Sequence, residues 1–210
     1  MPLVYQHTIN SSTRSALWKI EEDEPFFLRK VPVKRDVTHP HKRLQHLAGR
    51  YLLTQLFPDF PLHEIEIADT RKPYLPDEAY HFSISHCGAY AAAIVSTKQR
   101  VGIDIEVPTE KVFTISHKFL SAEEMELLND ASMSSGQLLD YATLFWSAKE
   151  TLFKWYGSGQ VDFRKHLQLL RMNGTEEEGT IECCFQKDTN LPINVSYRFL
   201  HGLALSWVNT

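Results

Sequence analysis

The sequence predicts an α+β (α/β) fold of two similar halves, each a helix packed on a small, mainly antiparallel sheet. Three observations lead there. A helix-periodic stretch is followed by short alternating strands, and the same order recurs further along. No regular βαβα alternation intervenes, which argues against a doubly wound parallel sheet. The length, 210 residues, suits one domain or two small ones. The halves expected are 1–107 and 108–210, joined at Pro108.

Residues 1–40 read as mixed. They hold a charged cluster from Glu21 to Glu24, then Pro25 and Phe26-Phe27-Leu28, and turn basic at Lys30, Lys34 and Arg35, with Lys42 and Arg43 following. The first helix is expected over Lys42 to Phe57, where Leu44, Leu47, Ala48, Tyr51, Leu52 and Leu56 recur at helical spacing. Arg43, His46 and Arg50 form a polar stripe beside that face, and Pro58 and Pro61 end the helix. Strands follow: Ile65 and Ile67, then Phe82 and Ile84, alternate with polar neighbours. Tyr90 to Val95 reads as a buried strand, and Val101 to Val107 alternates until Pro108 stops it.

In the second half, Ser121-Ala122-Glu123-Glu124 is a capping box opening a short helix. Residues 129–136 read as a polar loop. Gln137 to Tyr156 is the longest helix, with Gly157 as its C-cap. Strands are expected at 180–186, 193–200 and 203–208, with His201-Gly202 turning the last hairpin.

Composition narrows the function classes. Lys+Arg number 22 and Asp+Glu 26, a net charge of −4, so no basic footprint for nucleic acid is expected. The longest apolar run, Ala89 to Val95, is far short of a membrane span. Met1-Pro2-Leu3-Val4-Tyr5-Gln6-His7 shows no basic head before an apolar stretch. Three cysteines (Cys87, Cys183, Cys184) lack a C-x-x-C and read as reduced thiols. The expectation is a cytoplasmic protein.

Four segments carry chemistry. In Gly102-Ile103-Asp104-Ile105-Glu106, the two carboxylates share one strand face, roughly 6–7 Å apart. Hard oxygen ligands so placed suit Mg²⁺, and an acidic, solvent-facing strand is the plain alternative. In Trp146-Ser147-Ala148-Lys149-Glu150-Thr151-Leu152-Phe153-Lys154, positions 146, 150 and 154 share a helix face. There Glu150 could add a third carboxylate and Lys154 meet phosphate, or the two could be an ordinary surface ion pair. In His81-Phe82-Ser83-Ile84-Ser85-His86-Cys87-Gly88, Ser83, Ser85 and His86 could hydrogen-bond a phosphate. In Thr70-Arg71-Lys72-Pro73-Tyr74, two cations before a proline could anchor an anion or form a charged turn. Zinc spacings and the G-x-x-x-x-G-K-[ST] and G-x-G-x-x-G phosphate loops are missing from the sequence.

In this order and at these spacings, the segments resemble the phosphopantetheinyl transferase superfamily, Sfp type. The corresponding elements are Lys72-Pro73, Ser85-His86, Gly102-Ile103-Asp104-Ile105-Glu106, and the helix motif from Trp146 to Lys154. Ser83 stands where the family often has Asn, and Cys87 where a small hydroxyl residue is common. The resemblance implies two halves related by a pseudo-twofold, with an active site between them, and a monomer. It implies transfer of the 4′-phosphopantetheine arm of coenzyme A to a serine of an apo acyl or peptidyl carrier protein, releasing adenosine 3′,5′-bisphosphate. It implies that Asp104, Glu106 and Glu150 hold Mg²⁺ at the pyrophosphate, and that Lys154 and His86 contact phosphates. Lys72 would lie near the coenzyme, together with Arg71, Pro73, Ser85 and Lys149. Lys34, Arg35, Arg43 and Arg50 are the candidates for its 3′-phosphate. Asp104, His86, Lys154 and Glu150 form the catalytic set, with Glu150 as ligand, base or both. Phe113, Ile115 and Phe119, with Lys111, His117 and Lys118, are a candidate carrier-docking segment or ordinary amphipathic packing. Rival readings are a non-catalytic coenzyme A-binding module and a metal-dependent phosphodiesterase.

Overall fold

The computed structural model describes residues 2–32, 37–128 and 134–210. Lys34 and Arg35 lie outside the described residues, as does most of the loop expected at 129–136. The chain forms two compact units, residues 1–103 with 209–210, and residues 104–208.

The first unit opens with β1 (Leu3–Thr8) and β2 (Thr13–Lys19), then α1 (Glu24–Leu28) and α2 (Pro40–Leu56). A short pair follows, β3 (Glu66–Ile67) and β4 (Pro73–Tyr74), and then β5 (His81–Cys87) and β6 (Tyr90–Ser96). The main sheet has the order β1-β2-β6-β5, antiparallel throughout. Leu47, Ala48 and Leu52 of α2 are buried in one cluster with Ala91, Ala93 and Val95 of β6 and Phe82 of β5. Small residues on β6 let the helix come close. Trp18, Phe26 and Phe27 meet Tyr51 edge to face at 5.2–5.8 Å.

Strands β1 and β2 lie in the stretch expected to be mixed chain, since the sequence shows no alternation there. In β2 the reason is burial: Ala16, Leu17 and Trp18 are consecutive and all buried, so the two-residue period vanishes; in β1, where no residue is fully buried, a register shift between Leu3 and Tyr5 interrupts the pattern. Arg14 donates to the carbonyl of Leu56 at 2.9 Å and stacks on Phe57 at 4.7 Å. It thereby closes the C-terminus of α2. That helix also starts two residues earlier than expected, since Pro40 takes the first turn and His39 Nδ1 accepts from the Lys42 amide.

Strand β7 (Val101–Glu106) carries the boundary between units, which falls after Ile103. The second unit continues with α3 (Glu110–Thr114), α4 (Ala122–Leu128), α5 (Ser135–Tyr156) and α6 (Phe163–His166). It ends in β8 (Leu167–Gly174), β9 (Glu178–Phe185), β10 (Leu191–Leu200) and β11 (Leu203–Asn209). The sheet order is β7-β11-β10-β9-β8. Helix α5 buries Leu144, Phe145, Ala148, Leu152 and Trp155 among Leu169, Ile181, Cys183, Val195 and Tyr197. Both ends of α5 are fixed locally. Ser134 and Gln137 form a reciprocal capping box, and Gly157 closes it in the left-handed region at φ 76°. His201 and Gly202 both take positive φ in the β10–β11 turn. Strand β8 escaped the sequence reading because a register shift between Leu169 and Arg171 breaks its alternation and leaves Leu170 exposed.

A mixed α+β architecture with two sheets, each packed with helices, is therefore the fold. The order differs from the expectation at its start, since two strands precede the first helices. None of the three cysteines is in a disulfide. No helix among the described residues is long and apolar enough to cross a membrane.

Gly49 marks a close approach of α2 to its sheet, where an added Cβ would stand 2.5 Å from Ile84 Cγ2. Gly136 in the first turn of α5 has nothing nearer than Ser134 Oγ at 3.9 Å. Helix propensity favours Ala over Gly by about 1 kcal/mol at an interior site, but overpacking costs about 1–3 kcal/mol. Gly49→Ala should therefore lower the unfolding free energy by about 1 kcal/mol, while Gly136→Ala should raise it by several tenths. Urea unfolding of both variants checks the opposite signs.

Candidate active site

The site is built in the second unit by β7 and α5. Asp104 and Glu106 sit two residues apart on β7, with Asp104 2% exposed. Trp146, Glu150 and Lys154 follow at four-residue steps on α5, one face of the helix. The structure joins the two sets by direct contacts. Lys154 Nζ donates to Asp104 Oδ1 at 2.6 Å, and Trp146 Nε1 donates to Glu106 Oε1 at 3.0 Å. Trp146 is itself held edge to face against Phe119 at 4.9 Å. On the α5 flank facing β11, Ser147 and Thr151 share the hydroxyl of Ser206 at 2.8 and 2.7 Å.

Electrostatics tie Glu150 to the same group. Burial pushes its carboxyl up to about 7, and the negative charges of Asp104 and Glu106 add to the rise against the pull of Lys154. Three carboxylates thus face one ammonium, and the local charge falls two short of neutral when all are ionised. A divalent cation carries that charge, and carboxylate oxygens are the hard donors it takes. The donor set fits Mg²⁺ chemically. As the side chains stand, however, no three His, Cys, Asp or Glu among the described residues are grouped as a ligand set for one ion. The expected metal triad shares an electrostatic neighbourhood rather than a formed coordination sphere, with Lys154 on Asp104 and Trp146 on Glu106.

Lys149, expected at the coenzyme, is turned inward instead. It is fully buried, donating to Glu124 Oε2 at 2.6 Å and to the Phe163 carbonyl at 2.8 Å. One residue along a helix is a turn of about 100°, which carries Lys149 off the face of Glu150. The sequence shows Glu124 only as a capping-box residue; nothing in its spacing announces the second partner. Phe119 of the expected docking segment is likewise a core residue at 3% exposed, whereas Phe113 is 39% exposed.

In the first unit, Ser85 is buried and His86 exposed, as neighbours on opposite faces of a strand must be. Ser83 Oγ accepts from the Ile103 amide at 3.2 Å. Arg43 pairs with Glu24 at 2.8 Å, and Arg50 meets His46 Nδ1 at 3.0 Å. Arg71 is exposed in the left-handed region at φ 68°, in the turn before Pro73 of β4. Lys72 is half-buried, and burial, reinforced by the like charge of Arg100, pulls its ammonium down to about 8. Arg100 was not singled out in the sequence, where it reads as an ordinary turn cation.

The profile of the 4′-phosphopantetheinyl transferase superfamily matches residues 100–203, which contain Asp104, Glu106, Trp146, Glu150 and Lys154. Enterobactin synthase component D of Escherichia coli (strain K12) is 34% identical over 116 residues, 54% of this chain and 54% of that protein. A putative 4′-phosphopantetheinyl transferase of Haemophilus influenzae is 32% identical over 133 residues, 59% of this chain and 53% of its own. The 4′-phosphopantetheinyl transferase AcpT of Escherichia coli O157:H7 is 31% identical over 120 residues, 55% of this chain and 59% of its own. The chain spans about half the length of the curated relatives it matches. With its acidic strand and its Trp-Glu-Lys helix face inside the matched span, the chain belongs to the 4′-phosphopantetheinyl transferase superfamily.

Proposed function

We propose that the chain transfers 4′-phosphopantetheine from coenzyme A to a serine of an apo carrier protein, with Mg²⁺ held by Asp104, Glu106 and Glu150. The observation that supports this most is the shared charge group of β7 and α5, in which three carboxylates outweigh Lys154 within the family span. Similarity to enterobactin synthase component D favours a carrier of nonribosomal peptide synthesis. Acyl carriers of fatty-acid or polyketide synthesis are the other candidates.

The chemistry is a displacement at phosphorus. The serine Oγ bonds to the β-phosphorus of coenzyme A, and the bond from that phosphorus to the bridging oxygen breaks. Adenosine 3′,5′-bisphosphate leaves with the electron pair. The cation, when bound, neutralises pyrophosphate charge. Glu150 takes the serine proton on its carboxylate, a role worth about 10²–10⁴-fold for a positioned base. Lys154 offers its ammonium to charge growing on the leaving phosphate. Trp146 holds the Glu106 carboxylate in place. Lys72 and His86 are the coenzyme contacts proposed for the first unit, joined by Arg71, Arg43 and Arg50. The exposed Lys111, Phe113 and Lys118 remain a docking surface for an acidic carrier.

Mass spectrometry of an apo carrier incubated with the chain, coenzyme A and Mg²⁺ should show the added phosphopantetheine mass. Coenzyme binding without added mass would mark a binding module, and product release without a carrier would mark a phosphodiesterase. Asp104→Ala should cut transfer by about 10³-fold, since metal charge stabilisation amounts to several kcal/mol; parental turnover would remove the metal assignment.

Lys154→Ala should lower kcat by about 10²–10³-fold with little change in the KM for coenzyme A. Steady-state kinetics read the split, and a raised KM with parental kcat would assign Lys154 to uniform binding.

The anion contact at Lys72 has a pH dependence of known sign. A phosphate favours the protonated ammonium, whose pKa in the free protein is about 8. Above that pH, binding must take up a proton, so coenzyme affinity should fall by up to tenfold per pH unit. Lys72→Arg stays charged and should lose that dependence. Calorimetric titration from pH 7 to 9.5 checks it, and identical profiles for the two proteins would discard Lys72 as a contact.

A further inference from the structure

The ion pair between Lys149 and Glu124 is the most deeply buried charge cluster in the second unit and takes no part in the chemistry above. The two side chains are 0% and 1% exposed. Glu124 uses both oxygens: Oε2 accepts from Lys149 Nζ at 2.6 Å and the Ser121 amide at 2.7 Å, and Oε1 accepts from the Leu169 amide of β8 at 2.7 Å. Lys149 also donates to the Phe163 carbonyl at the head of α6. One side chain of α5 is therefore bolted directly to α4 and α6, and through Glu124 to β8.

Stability alone does not call for this arrangement. Burying two charges costs desolvation, and an apolar pair of the same volume often serves as well or better. Directional hydrogen bonds supply something an apolar pair lacks, a fixed rotation of the helix. The sheet order sets β8 at one edge and β7 at the other. At the β7 edge, the same helix presents Trp146, Glu150 and Lys154 to Glu106 and Asp104. Side-chain tips lie about 6 Å from a helix axis, so a rotation of about 10° moves them by about 1 Å. Misplacement by about 1 Å can cost about 10²-fold in rate.

We propose that Lys149 and Glu124 are positioning residues: from the β8 edge they fix the rotation of α5, and so set where Trp146, Glu150 and Lys154 stand against β7. The catalytic consequence rests on the transfer reading, but the geometric one does not. The test is the neutral double variant Glu124→Gln/Lys149→Met, which removes both charges together, beside Glu124→Gln alone. Thermal unfolding reports whether each is folded. In folded variants, the Trp146 indole N–H, assigned by Trp146→Phe, should shift in the ¹⁵N spectrum and exchange faster as its bond to Glu106 loosens. Mn²⁺ affinity, read from the free-ion paramagnetic signal, should fall about tenfold, and kcat/KM for transfer about 10–100-fold. Should the double variant fail to fold, Glu124→Gln is read by the same three measures. A folded variant with the parental indole signal, Mn²⁺ affinity and turnover overturns the proposal and leaves the pair a folding element. If the parent itself neither binds Mn²⁺ nor transfers, the transfer reading fails, while the indole signal still decides the positioning role.

Discussion

Negative charge held out of water is the constraint on which the second unit turns. Asp104 is almost wholly buried, and Asp104 and Glu106 stand near enough to Glu150 that their charges add to the cost of ionising it. Carboxylates buried together must be neutralised by a proton, a cationic side chain or a metal ion. Lys154 supplies one positive charge through its contact with Asp104. The remaining imbalance is of the size a divalent cation would offset, and it is the basis of the metal role proposed for Asp104, Glu106 and Glu150.

The rest of the unit can be understood as support for that meeting of strand and helix. The capping box at Ser134 and the left-handed Gly157 define the length of α5. Ser147 and Thr151 put small hydroxyls rather than bulky groups against Ser206 of β11. Leu144, Leu152 and Trp155 bury the opposite requirement, apolar area, in the core with Val195 and Tyr197. Polar contacts on α5 thus aim it, and apolar contacts hold it down. The division follows the physics: area burial is non-directional, while hydrogen bonds have preferred angles.

Elements whose faces differ in exposure were legible from the sequence. Helix α2 has one apolar stripe, and α5 has caps at both ends, so each was found within a few residues of its true limits. Strands β5, β6 and β7 were found for similar reasons. Strand β2 shows no alternation because burial on both sides erases it around Leu17, and β1, none of whose residues is fully buried, has its pattern broken by a register shift between Leu3 and Tyr5. Strand β8 was missed since its register shift puts Leu170 where a polar residue would be expected. The pairs Asp104 with Glu106 and Glu150 with Lys154 were legible because strand and helix periods put each pair on one face, whereas only the resemblance joined the two pairs. The inward turn of Lys149 was not, because spacing alone does not say which neighbour faces which flank of a helix.

By itself, the sequence determined the element types, the acidic pair on a strand, the Trp-Glu-Lys face on a helix, and a resemblance carried by four ordered segments. These are properties of local periodicity, which neighbours along the chain fix. Only the tertiary structure decided that Lys154 reaches Asp104, that Trp146 reaches Glu106, and that Glu124 engages Lys149 across 25 residues of chain. Contacts of that kind depend on how a helix is rotated against a sheet. That rotation depends on partners far along the chain, Glu124 and Ser206 among them, so no local pattern records it.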